Sequence, residues 1–172
     1  LSIILTQLQN GHPDKAQEYI HEINSAYDDT IIAAYSGNEM LNSVLSIYHS
    51  RFTDRGLSLI CNVSTGKELP CSDLSLCTIL SNALENAIHA CCETVNRGGE
   101  GIDVQAFEKE GKFFMQVVND CRDTVRMENG LPVTSRPGHG MGVRSICAVV
   151  EKYGGIYSFS VQKEKFILRI SL

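Results

Sequence analysis

One stretch, residues 73–93, limits what this chain can fold into. Leu76, Ile79, Leu80, Ala83, Ala87, Ile88 and Cys91 recur at threes and fours, and Pro70 and Ser72 precede them as a helix start. The spacing predicts a long helix with one apolar side that needs a core. Another side carries Asn82, Asn86, His89 and Glu93 at i, i+4, i+7 and i+11. Asparagine is a poor helix-interior residue, because its amide competes for local backbone groups. Two of them one turn apart therefore suggest a task. Amide oxygens are suitable ligands for a magnesium ion that keeps several waters and bridges nucleotide phosphates. A solvated polar face would give the same pattern.

The flanking sequence supplies partners for the apolar side. Met40, Leu41, Val44, Leu45 and Tyr48 mark a helix that stops before Gly56, and Leu57 to Val63 alternates as a strand. Two strands follow near 102–108 and 112–119, turned by Glu110-Gly111. A helix over 140–153 and strands over 155–161 and 165–171 finish the chain. Residues 120–138 hold Gly130, Pro132, Pro137 and Gly138 with little periodicity and predict a long loop, of a length usual for functional lids or disordered segments. Helices among mostly antiparallel strands imply an α+β sandwich whose sheet is covered on one face. At the start, Leu1, Ile4, Leu5 and Leu8 precede Asn10-Gly11, and Pro13 opens a second helix with Ala16, Ile20, Ile23, Tyr27 and Ile31. Residues 1–35 therefore predict an antiparallel helical hairpin, and 36–172 the main domain. The hairpin's narrow apolar seams need a partner, either a second copy in a four-helix bundle or the rest of the chain.

Two further features carry chemistry. Gly138-His139-Gly140-Met141-Gly142 runs directly into a helix, and alternate glycines let backbone N–H groups approach an anion. The helix N-terminus adds its own N–H groups, and Arg144 in its first turn can reach a phosphate oxygen. Taken alone, such glycine turns are common. No Gly-Lys-Ser/Thr occurs, and Rossmann spacing is absent, which excludes a P-loop and argues against a dinucleotide fold. The third feature, Val117-Val118-Asn119-Asp120-Cys121, is a strand end where a polar side chain can hydrogen-bond a purine from an apolar pocket.

Composition narrows the classes. The 172 residues carry a net charge of −5 without a basic run, which argues against nucleic-acid or anionic-membrane surfaces. No run of about 18 apolar residues exists to span a bilayer. Leu1 falls inside an amphipathic run, as in a piece cut from a longer chain. The seven cysteines are odd in number, include adjacent Cys91 and Cys92, and form no Cys-x-x-Cys pair. Most lie in apolar runs, where cysteine acts as a small hydrophobe, and a reducing cytoplasm is the expected setting.

In combination the three features are specific. Ser81-Asn82-Ala83-Leu84-Glu85-Asn86-Ala87 resembles the asparagine box of the GHKL ATPase/kinase superfamily, and Gly138-His139-Gly140-Met141-Gly142-Val143-Arg144-Ser145-Ile146 its second glycine box. Leu131-Pro132-Val133-Thr134-Ser135-Arg136, Tyr35-Ser36-Gly37-Asn38 and Lys152-Tyr153-Gly154-Gly155 are similar to sensor histidine kinases of the peptide quorum-sensing type.

The resemblance implies a Bergerat-type ATP-binding fold that binds ATP with Mg²⁺. Asn86 is implied as the Mg²⁺ ligand, and Gly138, His139, Gly140, Met141, Gly142 and Arg144 as the phosphate cradle. Asn82 stands where hydrolytic relatives carry a glutamate base; an amide cannot take a proton, which points to phosphoryl transfer rather than hydrolysis. His89 stands where many kinases have a phosphate-contacting lysine, an exposed helix histidine being the plainer reading. Asn119 replaces the aspartate that receives the adenine amino group, as a weaker neutral acceptor. The acceptor histidine of such kinases lies upstream of the part matching Leu1, and neither His12 nor His21 fits it. A homodimer through the hairpin and a response regulator are the implied partners. A non-catalytic nucleotide-binding scaffold and a serine kinase of the anti-sigma type are the alternatives.

Overall fold

The first helix, α1 (Glu39–Thr53), starts on a side-chain cap, with Asn38 Oδ1 accepting from the Leu41 N–H at 2.8 Å. In this computed structural model the chain divides into two compact units, Leu1–Ala33 and Ala34–Leu172. The described residues are 35–92, 101–121, 125–133 and 140–172. The hairpin expected over 1–35 lies, except for Tyr35, outside them, as do Gly138 and His139. The α1 cap is reinforced before the helix begins. Asn42 Oδ1 accepts from the Ser36 N–H at 2.8 Å, and its Nδ2 donates to Ser36 O at 2.9 Å. Asn38 Nδ2 donates to Lys67 O at 2.9 Å and Gly37 N to Thr65 O at 3.0 Å, which ties the helix start to a distant loop. A side chain on Gly37 would meet backbone atoms of residues 65–67 at 3.0–3.2 Å. The Tyr35-Ser36-Gly37-Asn38 motif is thus a joint of the fold.

Strand β1 (Leu59–Ser64) starts two residues later than its alternation predicts. Leu57 N is spent on Phe52 O at 3.0 Å, closing the end of α1. Helix α2 (Asp73–Cys92) then crosses to β2 (Ile102–Lys109), which pairs with β1 in parallel, as a connection of this length permits. The remaining pairings are antiparallel: β2 with β3 (Lys112–Asp120), β3 with β7 (Lys165–Ser171), and β7 with β6 (Ile156–Gln162). The sheet order is β1-β2-β3-β7-β6. Helix α3 (Met141–Lys152) fills the connection into β6.

One sheet face is buried and the other is mixed. Ile102, Val104, Ala106, Phe113, Met115, Val117, Leu168 and Ile170 form one core with Leu41, Leu45 and Phe52 of α1, Leu76, Leu80 and Leu84 of α2, and Ile146 and Val150 of α3. The opposite face shows Gln116 accepting from Arg169 Nε at 2.7 Å and Phe107 stacked on Phe114 at 5.3 Å. This is the one-sided α+β sandwich that the periodicities predict. Within the long loop expected over 120–138, the described residues form a small hairpin, β4 (Arg126–Glu128) with β5 (Leu131–Val133). Asn129 and Gly130 both adopt positive φ, 50° and 78°, as a two-residue turn between twisted strands requires. Met127 and Leu131 pack toward the core. Three-residue strands, one containing Pro132, are too short to show a period. No helix of the described residues is long and apolar enough to cross a membrane.

A polar clamp joins α1 to α2. Arg51 forks onto Glu85, pairing Nη1 with Oε1 and placing Nη2 3.2 Å from Oε2, and Tyr48 Oη donates to Glu85 Oε1 at 3.0 Å. Burial pushes the Glu85 carboxyl up, but the Arg51 and Tyr48 hydrogen bonds pull it down further, to a net position below 4.5. A carboxylate depressed in the folded state adds stability above its unfolded pKa, and that stability is lost as pH falls through the folded value. Both side chains are about a third exposed (35% and 38%), so solvent screens the pair. In denaturant titrations at neutral pH, Glu85→Gln is therefore expected to cost about 0.5–1 kcal/mol. The difference from the unsubstituted protein should vanish as the pH falls below the usual carboxylate range and Glu85 protonates. A constant difference across that range would show that the charge of Glu85 contributes nothing.

Candidate functional site

Two contacts fix how α3 lies on α2. At one end, a Cβ built on Gly142 would come within 2.9 Å of Asn82 Oδ1, so the α3 backbone rests directly on that amide. At the other end, Tyr153 Oη accepts from Ser72 N at 3.1 Å and lies 3.1 Å from Ser75 Oγ. Hydrogen bonding with the Ser72 and Ser75 hydroxyls, together with the bond accepted from the Ser72 N–H, draws the half-buried Tyr153 phenol down to about 8. From Ser72, just before α2, to Asn82 is about 15 Å, and from Gly142 to Tyr153, the C-cap of α3, about 16.5 Å, at 1.5 Å per residue. The two helices therefore run antiparallel and in step.

Beyond the start of α3, α2 continues and presents its polar stripe. Asn82 is half-buried, with Nδ2 donating to Thr78 O at 2.7 Å, while Asn86 and His89 are exposed. The last turn of α2 reaches the end of β3, where Cys91 Sγ lies 3.8 Å from Gly101 O and 3.9 Å from Asp120 O. Burial pushes the Cys91 thiol up to about 11, so it acts here as an apolar plug. Asn86 stands between these contacts, about 6 Å along the helix from Asn82 and about 7.5 Å before Cys91.

Asn119 is among the few buried polar residues, 3% exposed. Its Nδ2 donates to Asp120 O at 2.8 Å, which turns the Oδ1 edge the other way. Asp120 holds Lys165 Nζ at 2.5 Å and accepts from Gly101 N at 3.3 Å. Gly101 is fixed by space, since a side chain there would strike Ser58 O at 2.3 Å.

The three described helices differ at their starts. Helix α1 has the Asn38 cap and Glu39 in its first turn, and α2 has Ser72 Oγ accepting from Ser75 N at 3.3 Å and Asp73. Helix α3 begins on Gly140 at φ 98°, with no side-chain cap bond and no acidic residue in its first turn. Among the described residues, no side chain caps its first N–H groups, and its positive dipole end lies beside Asn82. Met141 is 70% exposed there, and Arg144 is also exposed. The structure thus brings Asn82 and Gly142 into contact, with Gly140, Met141 and Arg144 on the same helix start. A cavity of about 500 Å³ between Asn38–Met40 and Lys67–Asp73 lies elsewhere, at the N-terminal end of α2. Glu39, Glu68 and Asp73 outnumber Lys67 in its lining, the wrong balance of charge for a polyphosphate. Sequence reasoning missed Thr78, which fixes the Asn82 amide, and placed Cys91 on the apolar side without its contacts at the end of β3. Thr78 sits at i−4 from Asn82, and that spacing was the available signal.

A family model described as the GHKL domain matches residues 72–172. Among solved structures, the catalytic domain of histidine kinase ThkA in a nucleotide-free form superposes with a TM-score of 0.60 at 16% identity, covering 78% of this chain and 90% of that one. The mycobacterial sensor histidine kinase MprB gives 0.54 at 19% identity, covering 78% and 91%. The Acinetobacter baumannii histidine kinase AdeS gives 0.55 at 14% identity, covering 99% and 91%. Likenesses at these identities show a shared fold. No curated protein matches the chain by sequence.

The Gly142–Asn82 contact makes a prediction of unusual sign. Glycine to alanine in an unobstructed helix position stabilises by up to about 1 kcal/mol. Gly142→Ala is expected instead to destabilise by about 1 kcal/mol, because Asn82 must swing away and give up Thr78 O. Adding Asn82→Ala should remove most of that cost in thermal melts. Additive effects of the two substitutions would show that the contact does not exist.

Proposed function

Since the chain belongs to the GHKL domain family, we propose that it is the ATP-binding catalytic module of a two-component sensor histidine kinase. The observation that carries this reading is the packing of Gly142 on Asn82, which sets the uncapped start of α3 beside an asparagine stripe. In this reading the N–H groups after Gly140, with Gly138, His139, Met141 and Arg144, hold the phosphates of ATP. Asn86 offers an exposed amide oxygen next to them and is the proposed ligand of Mg²⁺, which when bound supplies charge neutralisation at the phosphate oxygens. His89, one turn on, faces the same side. Asn119 meets the base as an acceptor, since its amide NH₂ is engaged by Asp120 O.

Phosphoryl transfer depends mostly on positioning and on electrostatic stabilisation. Asn82 cannot accept a proton, and Glu85 has both oxygens engaged by Arg51, so neither activates a water. The γ-phosphoryl is proposed to pass to a histidine N-terminal to Leu1 in the parent protein. Pairing of residues 1–35 between two copies would present it, and a response regulator would receive it afterwards. A non-catalytic nucleotide-binding module is the second reading, favoured by Asn119-Asp120-Cys121 in place of an aspartate followed by glycines.

Radiolabelled Mg·ATP separates the two readings. The chain mixed with a polypeptide that includes the preceding residues is expected to yield acid-labile, base-stable phosphoprotein. ATP binding without any such label would favour the second reading. In calorimetric titrations, Asn86→Ala should lose about tenfold or more of Mg·ATP affinity, about 1.4 kcal/mol, with the fold intact. Asn119→Asp, though it restores the family's usual residue, is expected to weaken ATP binding roughly threefold to tenfold, because a carboxylate oxygen would face Asp120 O without a proton between them. Stronger binding by that variant would contradict the role given to the Asn119 amide.

A further inference from the structure

We propose that Tyr48, Arg51 and Glu85 are positioning residues that hold one turn of α2 in the rotation at which the Asn82 and Asn86 amides face the start of α3. The inference rests on the proposed Mg·ATP site and assigns a role to three side chains that do not touch it.

The geometry singles out one turn of the helix. Tyr48 Oη lies 3.2 Å from Ser81 O and 3.0 Å from Glu85 Oε1, so a single hydroxyl spans both ends of the turn from 81 to 85. Asn82 lies within that turn, and Asn86 follows it directly. Arg51 grips both oxygens of Glu85, and its guanidinium rests 4.8 Å from the centroid of the Tyr48 ring. A fork on a carboxylate fixes orientation as well as distance, which a single point charge cannot do. The aromatic ring below restricts the guanidinium in turn.

Angles around the helix explain why this grip matters. At 100° per residue, Asn82, Asn86 and His89 fall within a sector of about 60°. Ser81 and Glu85 fall to one side of it, centred about 90° away. A clamp at that angle acts on rotation about the helix axis, the motion that would swing the amides off the phosphates. Supporting residues of this kind commonly change metal affinity by one to two orders of magnitude without touching the metal. Glu85 is also held below the usual carboxylate range, so the clamp stays charged at neutral pH.

The test separates positioning from simple stabilisation. ATP is titrated into the protein and its Tyr48→Phe, Arg51→Met and Arg51→Lys variants, once with excess Mg²⁺ and once with EDTA, well below every unfolding midpoint. Tyr48→Phe and Arg51→Met should lower Mg·ATP affinity about tenfold while changing ATP affinity in EDTA less than about twofold. Arg51→Lys, which keeps the charge but not the fork, should fall between. Without nucleotide, the side-chain amide NMR signals of Asn82 and Asn86 should shift in Tyr48→Phe, a conservative variant that keeps the ring packed. Equal losses with and without Mg²⁺, or unshifted amide signals, would overturn the proposal. Should Arg51→Met fail to fold, Tyr48→Phe and Arg51→Lys decide the matter. Absence of Mg²⁺-dependent binding in the unsubstituted protein would overturn the site reading itself, and this proposal with it.

Discussion

The contact on which the rest of the structure depends is the seating of the Gly142 backbone on the side chain of Asn82. Any β-carbon at 142 would come within 2.9 Å of the amide oxygen, so the closeness of α2 and α3 is set by the absence of a side chain. With the Tyr153 bonds at the far end, this contact fixes α3 against α2 in direction and in register. A helix start with no cap and no acid of its own is thereby delivered to a row of amides. Neither element makes a site alone. The asparagine stripe by itself is a polar helix face, and the glycine turn by itself is a loop.

Much of this was legible in the sequence because two different periods coincide on α2. The apolar residues repeat as a core helix must, and the asparagines repeat at the same spacing on another side, so element and site face could be read together. The strands of the sheet were legible for the same reason, through alternation in β2 and β3. What the sequence could not carry was contact between distant residues. Nothing in the spacing of Tyr48, Arg51 and Glu85 says that they meet, since the pairing of α1 with α2 depends on how both pack on the sheet. Glu85 sits between the two asparagines in the chain yet faces α1, a distinction of about 90° around the helix. The β4–β5 hairpin escaped for another reason. Its strands are three residues each, and Pro132 masks the pattern, although Asn129-Gly130 is a recognised hairpin turn.

The end of β3 shows how a departure from a family's pattern follows from local packing. Asn119 is buried and must satisfy its polar atoms, and Asp120 O takes its NH₂ group. The carboxylate at this corner belongs to Asp120, which is neutralised by Lys165 and a backbone N–H. A carboxylate at 119 would repel the neighbouring Asp120 carboxylate, which disfavours aspartate at this corner. The side chain keeps an acceptor edge and loses only the negative charge.

The central claim is that the stripe on α2 and the start of α3 are one Mg·ATP site. Manganese in place of magnesium tests it most directly, because the paramagnetic ion broadens NMR signals of nearby amides. With Mn²⁺ and ATP present, the account predicts selective broadening at Asn82 and Asn86 and at Gly140 to Val143, with Leu59 to Ser64 unaffected. Broadening centred instead on the cavity between Asn38–Met40 and Lys67–Asp73, or broadening that does not require ATP, would contradict it.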